Sequence, residues 1–528
     1  MNKIIHRYLL KDLVKSFLLA TAALTLILSL GGLIAPAREF GVSPAQAVRL
    51  IIYFIPVTLA FVLPVGAVFA AAVTYGRFAG QNEHTACRAG GISTTSIMLP
   101  AVYLGLFVMA ANLLLNFYVV PHYIHKAEVN VKANIKQIVF RSIKRKGMYE
   151  IEGKDSKTFI IADKVDEDKN ILSGVNILRI DEGSASSLIT SSLARVNFSK
   201  TDSGNQISVT AYELFQADKS GYSYCAKLPL RTKVGSLIVD NIRFKKLSML
   251  RKIEKKPVLF GPVRKKADEL IERISTELLA QRIDGSAQTN RWLKLSGISE
   301  RLLFRAESCR LDSDLSLHAA GVEVLEYSDG AEVPENRWEA ESAEIYAAGS
   351  SPEDYWNFSL NRAVPAGEPA PDRVESRTFR HLQTPAPIQE IYSSSDRLAA
   401  ALNSGLEDPS IEVKMLTEEL DQRIDETAGE VAIEINYRLV FGIACLFITV
   451  TGAAFGVIMR NSHVLASFGA GIIPLAVLVV FIMMGKNLTK NIISHTDRSG
   501  DSGIVLIWAG LGVVLLIMAF VQRNIHRT

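Results

Sequence analysis

The chain has 528 residues, of which 48% are apolar and 21% charged, with a formal charge of +4. These averages would suit a soluble protein, but both ends are strongly hydrophobic and the middle is polar, which excludes one uniform globular domain. No basic run with interleaved aromatics is present, so the small positive charge does not point to nucleic acid.

Six stretches are long enough to cross a hydrocarbon core about 30 Å thick, which takes roughly 20 apolar residues. In chain order they are Leu13–Ala35, Val48–Tyr75, Ile97–Val120, Tyr437–Met459, Val464–Gly485 and Ile504–Val521. Continuous apolar runs of this kind predict helices, since a barrel strand would alternate. The first is too long for a signal-peptide core and no small-residue cleavage site follows it, so it is expected to be retained. Lys3, Arg7, Lys11 and Lys15 precede the first span. Arg77 and Arg88 lie in the second loop, Arg460 in the fourth-to-fifth loop, and Arg523 and Arg527 at the end. The opposite loops carry Arg38 and Arg49, then Lys486, Lys490 and Arg498. The bias places both termini in the cytoplasm and the large middle segment outside.

Between the third and fourth spans lies a domain of its own. Thr158–Ala162, Asn176–Ile180, Ile207–Leu214 and Ser236–Val239 read as strands, punctuated by Asp-Glu-Gly at 181–183 and Asp-Ser-Gly-Asn at 202–205. They suggest a sandwich or an open, jelly-roll-like β domain. Lys265–Arg282 carries Leu270, Ile271, Ile274, Leu278 and Leu279 at helical spacing, a core-packing stripe. Leu302–Ala306, Leu315–Ala319, Gly321–Tyr327 and Ala340–Tyr346 form a second strand-rich tract. Val364–Asp372 reads as a proline-rich linker, and Glu412–Glu434 as a helix running into the fourth span. The expected organisation is therefore a membrane half at 1–120 with a loop at 76–96, a β domain at 121–264, a helix and β-rich insert at 265–395, a helical linker at 396–436 and a second membrane half at 437–528.

The four cysteines show no metal-ligand spacing. Cys225 and Cys309 both fall outside the membrane, where a disulfide can persist; two free thiols fit as well. His122 and His125 lack further ligands, so no metal site is expected. Asn112 and Asn116, one turn apart in the third span, fit hydrogen bonding between helices. No GxxxxGK[ST], HExxH or GxSxG is present, so neither catalytic residues nor a cofactor are expected.

Several motifs occur in a telling order. Ile5-His6-Arg7-Tyr8-Leu9-Leu10-Lys11-Asp12 leads into the first span, and Leu63-Pro64-Val65-Gly66 lies in the second. The loop Asn82-Glu83-His84-Thr85-Ala86-Cys87-Arg88-Ala89-Gly90-Gly91-Ile92-Ser93 follows, and Glu434-Ile435-Asn436-Tyr437-Arg438 opens the fourth span. With six spans and an external β domain, the chain resembles the LptF/LptG-type permeases, membrane subunits of the ABC transporter that extracts lipopolysaccharide from the inner membrane. The insert is larger than the single jelly roll usual in that family.

The resemblance implies a multi-pass inner-membrane protein with a sister permease, a cytoplasmic P-loop ATPase dimer and periplasmic β-jelly-roll bridge proteins as partners. The lipid would be substrate, and ATP hydrolysis would belong to a separate chain. It gives the 82–93 loop the role of a coupling helix, with Glu83 and Arg88 meeting the ATPase and Gly90 and Gly91 ending the helix. Glu83 and Arg88 lie about 140° apart on a helix and need not pair. Lys15 reads as an interfacial anchor, and Arg38 as either an anchor or a fork for a lipid phosphate; both are candidate lipid contacts. Glu434 and Arg438 fit either a local i, i+4 pair or a hinge between domain and bundle. The rival reading is a membrane-anchored periplasmic sensor or assembly scaffold.

Overall fold

The computed structural model describes the chain except residues 1, 40–43, 134–139, 141–142, 145–146, 153–155, 167–168, 182–183, 202–203, 219–220, 234–240, 298–299, 313–314, 329–330, 348–354, 366–373, 461–463, 496–500 and 528. The chain forms two compact units, residues 1–255 with 428–528, and residues 256–427.

Among the described residues the first unit holds six helices long and apolar enough to cross a membrane, one of which begins in the second unit. They match the six predicted stretches: α1 (Asn2–Glu39), α2 (Pro44–Gly80), α4 (Thr94–Leu114), α10 (Ile411–Ile458), α11 (Val464–His495) and α12 (Asp501–Arg527); the third predicted stretch, Ile97–Val120, runs past the end of α4, and the fourth, Tyr437–Met459, ends one residue past α10. A seven-residue helix, α3 (Glu83–Ala89), joins α2 to α4. Beyond α4 the chain makes one π-turn, Leu115–Val119, and continues as α5 (Val120–Ala133). Pro56, Pro64, Pro100 and Pro474 sit inside spanning helices, where neighbouring helices supply the packing that keeps such helices intact.

The same unit carries a six-stranded antiparallel sheet: β1 (Met148–Glu152), β2 (Ser156–Asp166), β3 (Ile171–Asp181), β4 (Ser184–Thr201), β5 (Gly204–Asp218) and β6 (Gly221–Lys233). The strands pair strictly in chain order, an up-and-down meander. Phe140, Ile143, Leu172, Val175 and Val196 fill its core. The expected strand at Ser236–Val239 lies outside the described residues. A single 3-10 turn, Ile242–Phe244, and the helix α6 (Leu247–Lys255) lead out of the sheet.

The second unit begins with α7 (Gly261–Ile283), whose apolar stripe is buried as its spacing predicts. A second antiparallel sheet follows, with order β13-β12-β11-β10-β8-β7 and β9 paired to β10. Its strands are β7 (Leu293–Ser296), β8 (Glu300–Arg305), β9 (Ser308–Leu311), β10 (Leu317–Ser328), β11 (Asn336–Ala347), β12 (Trp356–Pro365) and β13 (Val374–Leu382). Its two edges meet, because the Gln383 N–H donates to the Ser296 carbonyl at 2.7 Å. Leu279 and Ile283 of α7 pack into the core with Phe304, Trp356, Phe358 and Phe379. Helices α8 (Ala386–Ser393) and α9 (Arg397–Leu402) complete the unit, and its last stretch, 411–427, is the first part of α10.

Two expectations for this unit need correction. The separate strands at Leu315–Ala319 and Gly321–Tyr327 are one strand, β10. Gly321 has φ +60, and a Cβ there would lie 2.6 Å from the Glu307 side chain. The buried positions shift by one residue at this kink, from Leu317 and Ala319 to Val322 and Val324, and the broken alternation mimics a strand boundary. The supposed linker at Val364–Asp372 begins as strand instead: Val364 pairs with Glu339 and Pro365 with Trp338. Proline is tolerated there because it ends the strand.

Candidate functional site

Sequence reasoning nominates two places, the loop after α2 and the start of the fourth span. Both lie in the first unit.

The loop turns on backbone geometry. Asn82 takes a left-handed conformation, φ 61, before α3 begins at Glu83. At the other end the Gly91 N–H donates to the Arg88 carbonyl at 2.9 Å and the Ile92 N–H to the Cys87 carbonyl at 3.0 Å. This is a Schellman stop, with Gly91 at φ +82 and the buried Ile92 as its apolar anchor. Of the two glycines, Gly91 alone needs the left-handed region; Gly90 has φ −77.

Around α3 the helix ends are tied together. Tyr75 Oη donates to the Ile97 carbonyl at 2.9 Å, joining α2 to α4. His6 Nε2 donates to the Ser96 carbonyl at 2.8 Å, joining α1 to α4, and Arg77 pairs with Asp12 across α2 and α1. Arg460, just past α10, donates to Thr85 Oγ1 at 3.4 Å. A Cβ on Gly80 would lie 3.3 Å from the Arg460 carbonyl. The short helix thus rests on the ends of several spans. Arg88, Gly90 and Gly91 are exposed, and Glu83 is half-buried.

His84 is buried and its Nε2 has no hydrogen-bond partner among the described residues. Burial, with the nearby charges of Arg88 and Arg460, holds the imidazole below its ordinary range, so it is neutral at pH 7. Burial and Glu83 push the Cys87 thiol up.

The second place is a buried ionic clasp. Arg438 is 1% exposed, and its guanidinium has three hydrogen-bond partners among the described residues. Nε donates to Glu434 Oε1 at 3.1 Å, one turn back on α10. Nη1 and Nη2 donate to the carbonyls of Lys245 and Arg243 at 3.0 and 2.9 Å. The planar fork of arginine suits such a set, which a lysine could not reproduce. The second carboxylate oxygen of Glu434 accepts from Lys486 Nζ of α11 at 3.2 Å, and that ammonium lies 3.9 Å from the centre of the Tyr437 ring. Trp508 Nε1 of α12 donates to Asn436 Oδ1 at 2.9 Å. Beside the clasp, Phe244 packs, as Phe54 and Val57 do, against the buried cluster of Ala60, Val120 and Ile124. The turn that leaves the first sheet is thus held by the same arginine that sits in the helix bundle.

The i, i+4 pair read from the sequence is present, but it is half of the assembly. Lys486 reads in the sequence only as a loop charge, and the carbonyls of 243 and 245 carry no side-chain signal. Lys15 is exposed. Arg38 lies on α1, and its side chain falls outside the described residues, as does that of Cys225. Asn112 donates to the Ala60 carbonyl at 2.6 Å, the helix-to-helix bond its type suggests. Among the described residues no cluster of His, Cys, Asp and Glu could hold a metal.

Cys309, nominated for a disulfide with Cys225, is a free thiol in this structure. It lies on β9 opposite Ala319, and burial with the charge of Asp284 pushes its thiol up to about 12. Since only the thiolate alkylates, Cys309 should react at pH 8 about three orders of magnitude more slowly than an ordinary cysteine. Mass-resolved maleimide labelling of native and unfolded protein without reductant checks this. Full labelling on unfolding fits the free thiol, whereas labelling that needs reductant would restore the disulfide.

No curated protein matches the chain. Residues 7–253 match the family model described as lipopolysaccharide export system permease LptF/LptG. The matched stretch runs from the first turns of α1 through α5, the 82–93 loop and the first sheet, and it ends just before Lys256, where the second unit begins.

Proposed function

We propose, for a chain that belongs through residues 7–253 to the LptF/LptG permease family, that it is a permease subunit of an ABC transporter lifting lipopolysaccharide, or a glycolipid of similar size and charge, out of the inner membrane. Each buried acyl CH₂ holds the lipid by about 0.8 kcal/mol, so a multi-acyl lipid needs an energy source and a shielded apolar path to leave the bilayer. The energy would come from a cytoplasmic ATPase pair. The path would run through the helix bundle, shared with a sister permease, and on to the first β sheet and a periplasmic bridge protein. Both termini and the 82–93 loop would then face the cytoplasm.

The observation that carries this reading is α3. A short helix, closed by a Schellman stop and resting on the ends of α2, α4 and α10, can pass a push to several spans at once. Glu83 and Arg88 are its charged contacts toward the ATPase. In the same scheme Glu434 and Arg438, with Lys486, act as the hinge pin between the first sheet and the bundle. Lys15 and Arg38 serve as cationic contacts for lipid phosphate. The scaffold reading keeps one point in its favour, the 256–427 unit beyond the matched stretch.

Purification in mild detergent from native membranes, with identification of the copurifying chains, tests the proposal. A P-loop ATPase should accompany the wild type and be lost or weakened with Glu83→Ala. An ATPase retained equally by both would remove Glu83 from the coupling role. No ATPase with intact wild-type protein would favour the scaffold.

A further inference from the structure

The second unit contains a groove of about 480 Å³ between α7, α9 and the first turns of α10. Ile274 and Val413 form a buried floor, and Leu402 and Leu406 line the rim beside Glu418 and Asp421. Its walls are pinned by the chain's own polar contacts. Glu277 accepts from the Ser410 N–H and hydroxyl at 2.8 and 2.7 Å, and Gln281 exchanges hydrogen bonds with the backbone of Glu407. Lys266 pairs with Glu419 at 2.7 Å and Arg273 with Glu412 at 2.5 Å. The groove is therefore preformed.

Its charges are unevenly matched. Glu277, Glu412 and Glu419 are all engaged within the unit, and Lys414 on the rim lies 3.7 Å from Asp408. Glu418 and Asp421, one turn apart and both exposed, have no ion-pair partner among the described residues. The apolar surface of the groove is also open: Leu402 is 52% exposed. An apolar slot flanked by two unpaired carboxylates complements one chemistry, an apolar side chain with lysine or arginine next to it.

We propose that this groove docks a segment of a partner protein that presents an aliphatic or aromatic anchor flanked by cationic residues. The anchor fills the slot over Ile274 and Val413, and the cations lie against Glu418 and Asp421. The site belongs to the 256–427 unit and does not rest on the transport reading, so failure of one leaves the other intact.

The full-length protein in zwitterionic nanodiscs, with a fluorescent peptide of alternating leucine and lysine as probe and empty nanodiscs as blank, tests this by anisotropy. Saturable binding is expected, weakened about tenfold, or 1.4 kcal/mol, by Glu418→Gln with Asp421→Asn, and weakened by salt. A lysine–serine peptide and a glutamate–leucine peptide should both fail to bind. The substituted carboxylates are exposed, so the fold should persist; Leu402→Ser supplies a second variant, expected to weaken binding while leaving its salt dependence. Absence of saturable binding, binding unchanged in the double variant, or equal binding of either control peptide would overturn the proposal. So would self-association of the wild type abolished by the double variant, which would assign the groove to a second copy of this chain.

Discussion

Arg438→Ala is expected to destabilise the first unit by about 3–5 kcal/mol, the range for removing one partner of a buried ion pair. The loss has two parts. Glu434, 4% exposed, keeps only Lys486 as a countercharge among the described residues, and the carbonyls of Arg243 and Lys245 lose their donors in a part-buried setting. Arg438→Lys should recover little, because an ammonium cannot serve three divergent acceptors. Glu434→Gln should cost less than Arg438→Ala: the guanidinium keeps both carbonyls, and Lys486, whose side chain is 23% exposed, can turn to water. Thermal unfolding of the detergent-solubilised variants checks the order. Equal melting of Arg438→Ala and wild type would sink the view that the clasp holds sheet and bundle together. Protease accessibility of residues 241–246 gives a second readout, expected to rise in Arg438→Ala.

Gly456→Leu should be at least as damaging as the upper end of ordinary overpacking, about 3 kcal/mol. A Cβ at Gly456 would lie 2.8 Å from the Ala72 carbonyl and 2.9 Å from the Gly76 nitrogen, so the obstacle is backbone that cannot rotate aside. Gly452, one turn earlier, would put its Cβ 3.2 Å from the Val68 carbonyl, and Gly76 would meet the Gly456 carbonyl at 3.7 Å. Small residues spaced by four let α2 and α10 approach closely, the usual source of helix association where lipid removes the hydrophobic drive. α2 leads into α3 and Arg460, just past α10, contacts Thr85 of α3, so separating the two helices should also weaken any push passed through α3. Gly512→Ala is the control. Nothing lies within 4 Å of a Cβ there, and an interior helical glycine replaced by alanine should be neutral or stabilising. The yield of monodisperse protein and its melting temperature decide; Gly456→Leu behaving like Gly512→Ala would refute the close contact.

Legibility followed the range of the interaction. The six spans, the α7 stripe and the strands near 158–162, 176–180 and 207–214 were readable because hydrophobic period and length are local properties. The end of α3 was half readable. Two adjacent glycines mark a stop, but which of them adopts positive φ depends on where the apolar anchor Ile92 is drawn, and the bundle core decides that. The kink at Gly321 misled for a related reason: one residue of altered φ shifts the inside and outside positions of β10, and in a linear pattern this looks like a break.

By itself the sequence determined a membrane protein of six helices with a β-rich segment between the third and fourth, together with a motif order pointing to one permease family. Apolar runs and motif spacing carry that information along a single strand of text. Only the tertiary structure decided what the ionisable groups do. Lys486 lies 52 positions from Glu434, and the Arg243 and Lys245 carbonyls nearly 200 from Arg438. A charge or a backbone oxygen has no preferred distant partner until helices and sheet have packed. The groove beside Glu418 and Asp421 arose in the same way. Its floor comes from α7 and α10, its rim from α9, and its unmatched charge became visible only once the neighbouring carboxylates had found their cations.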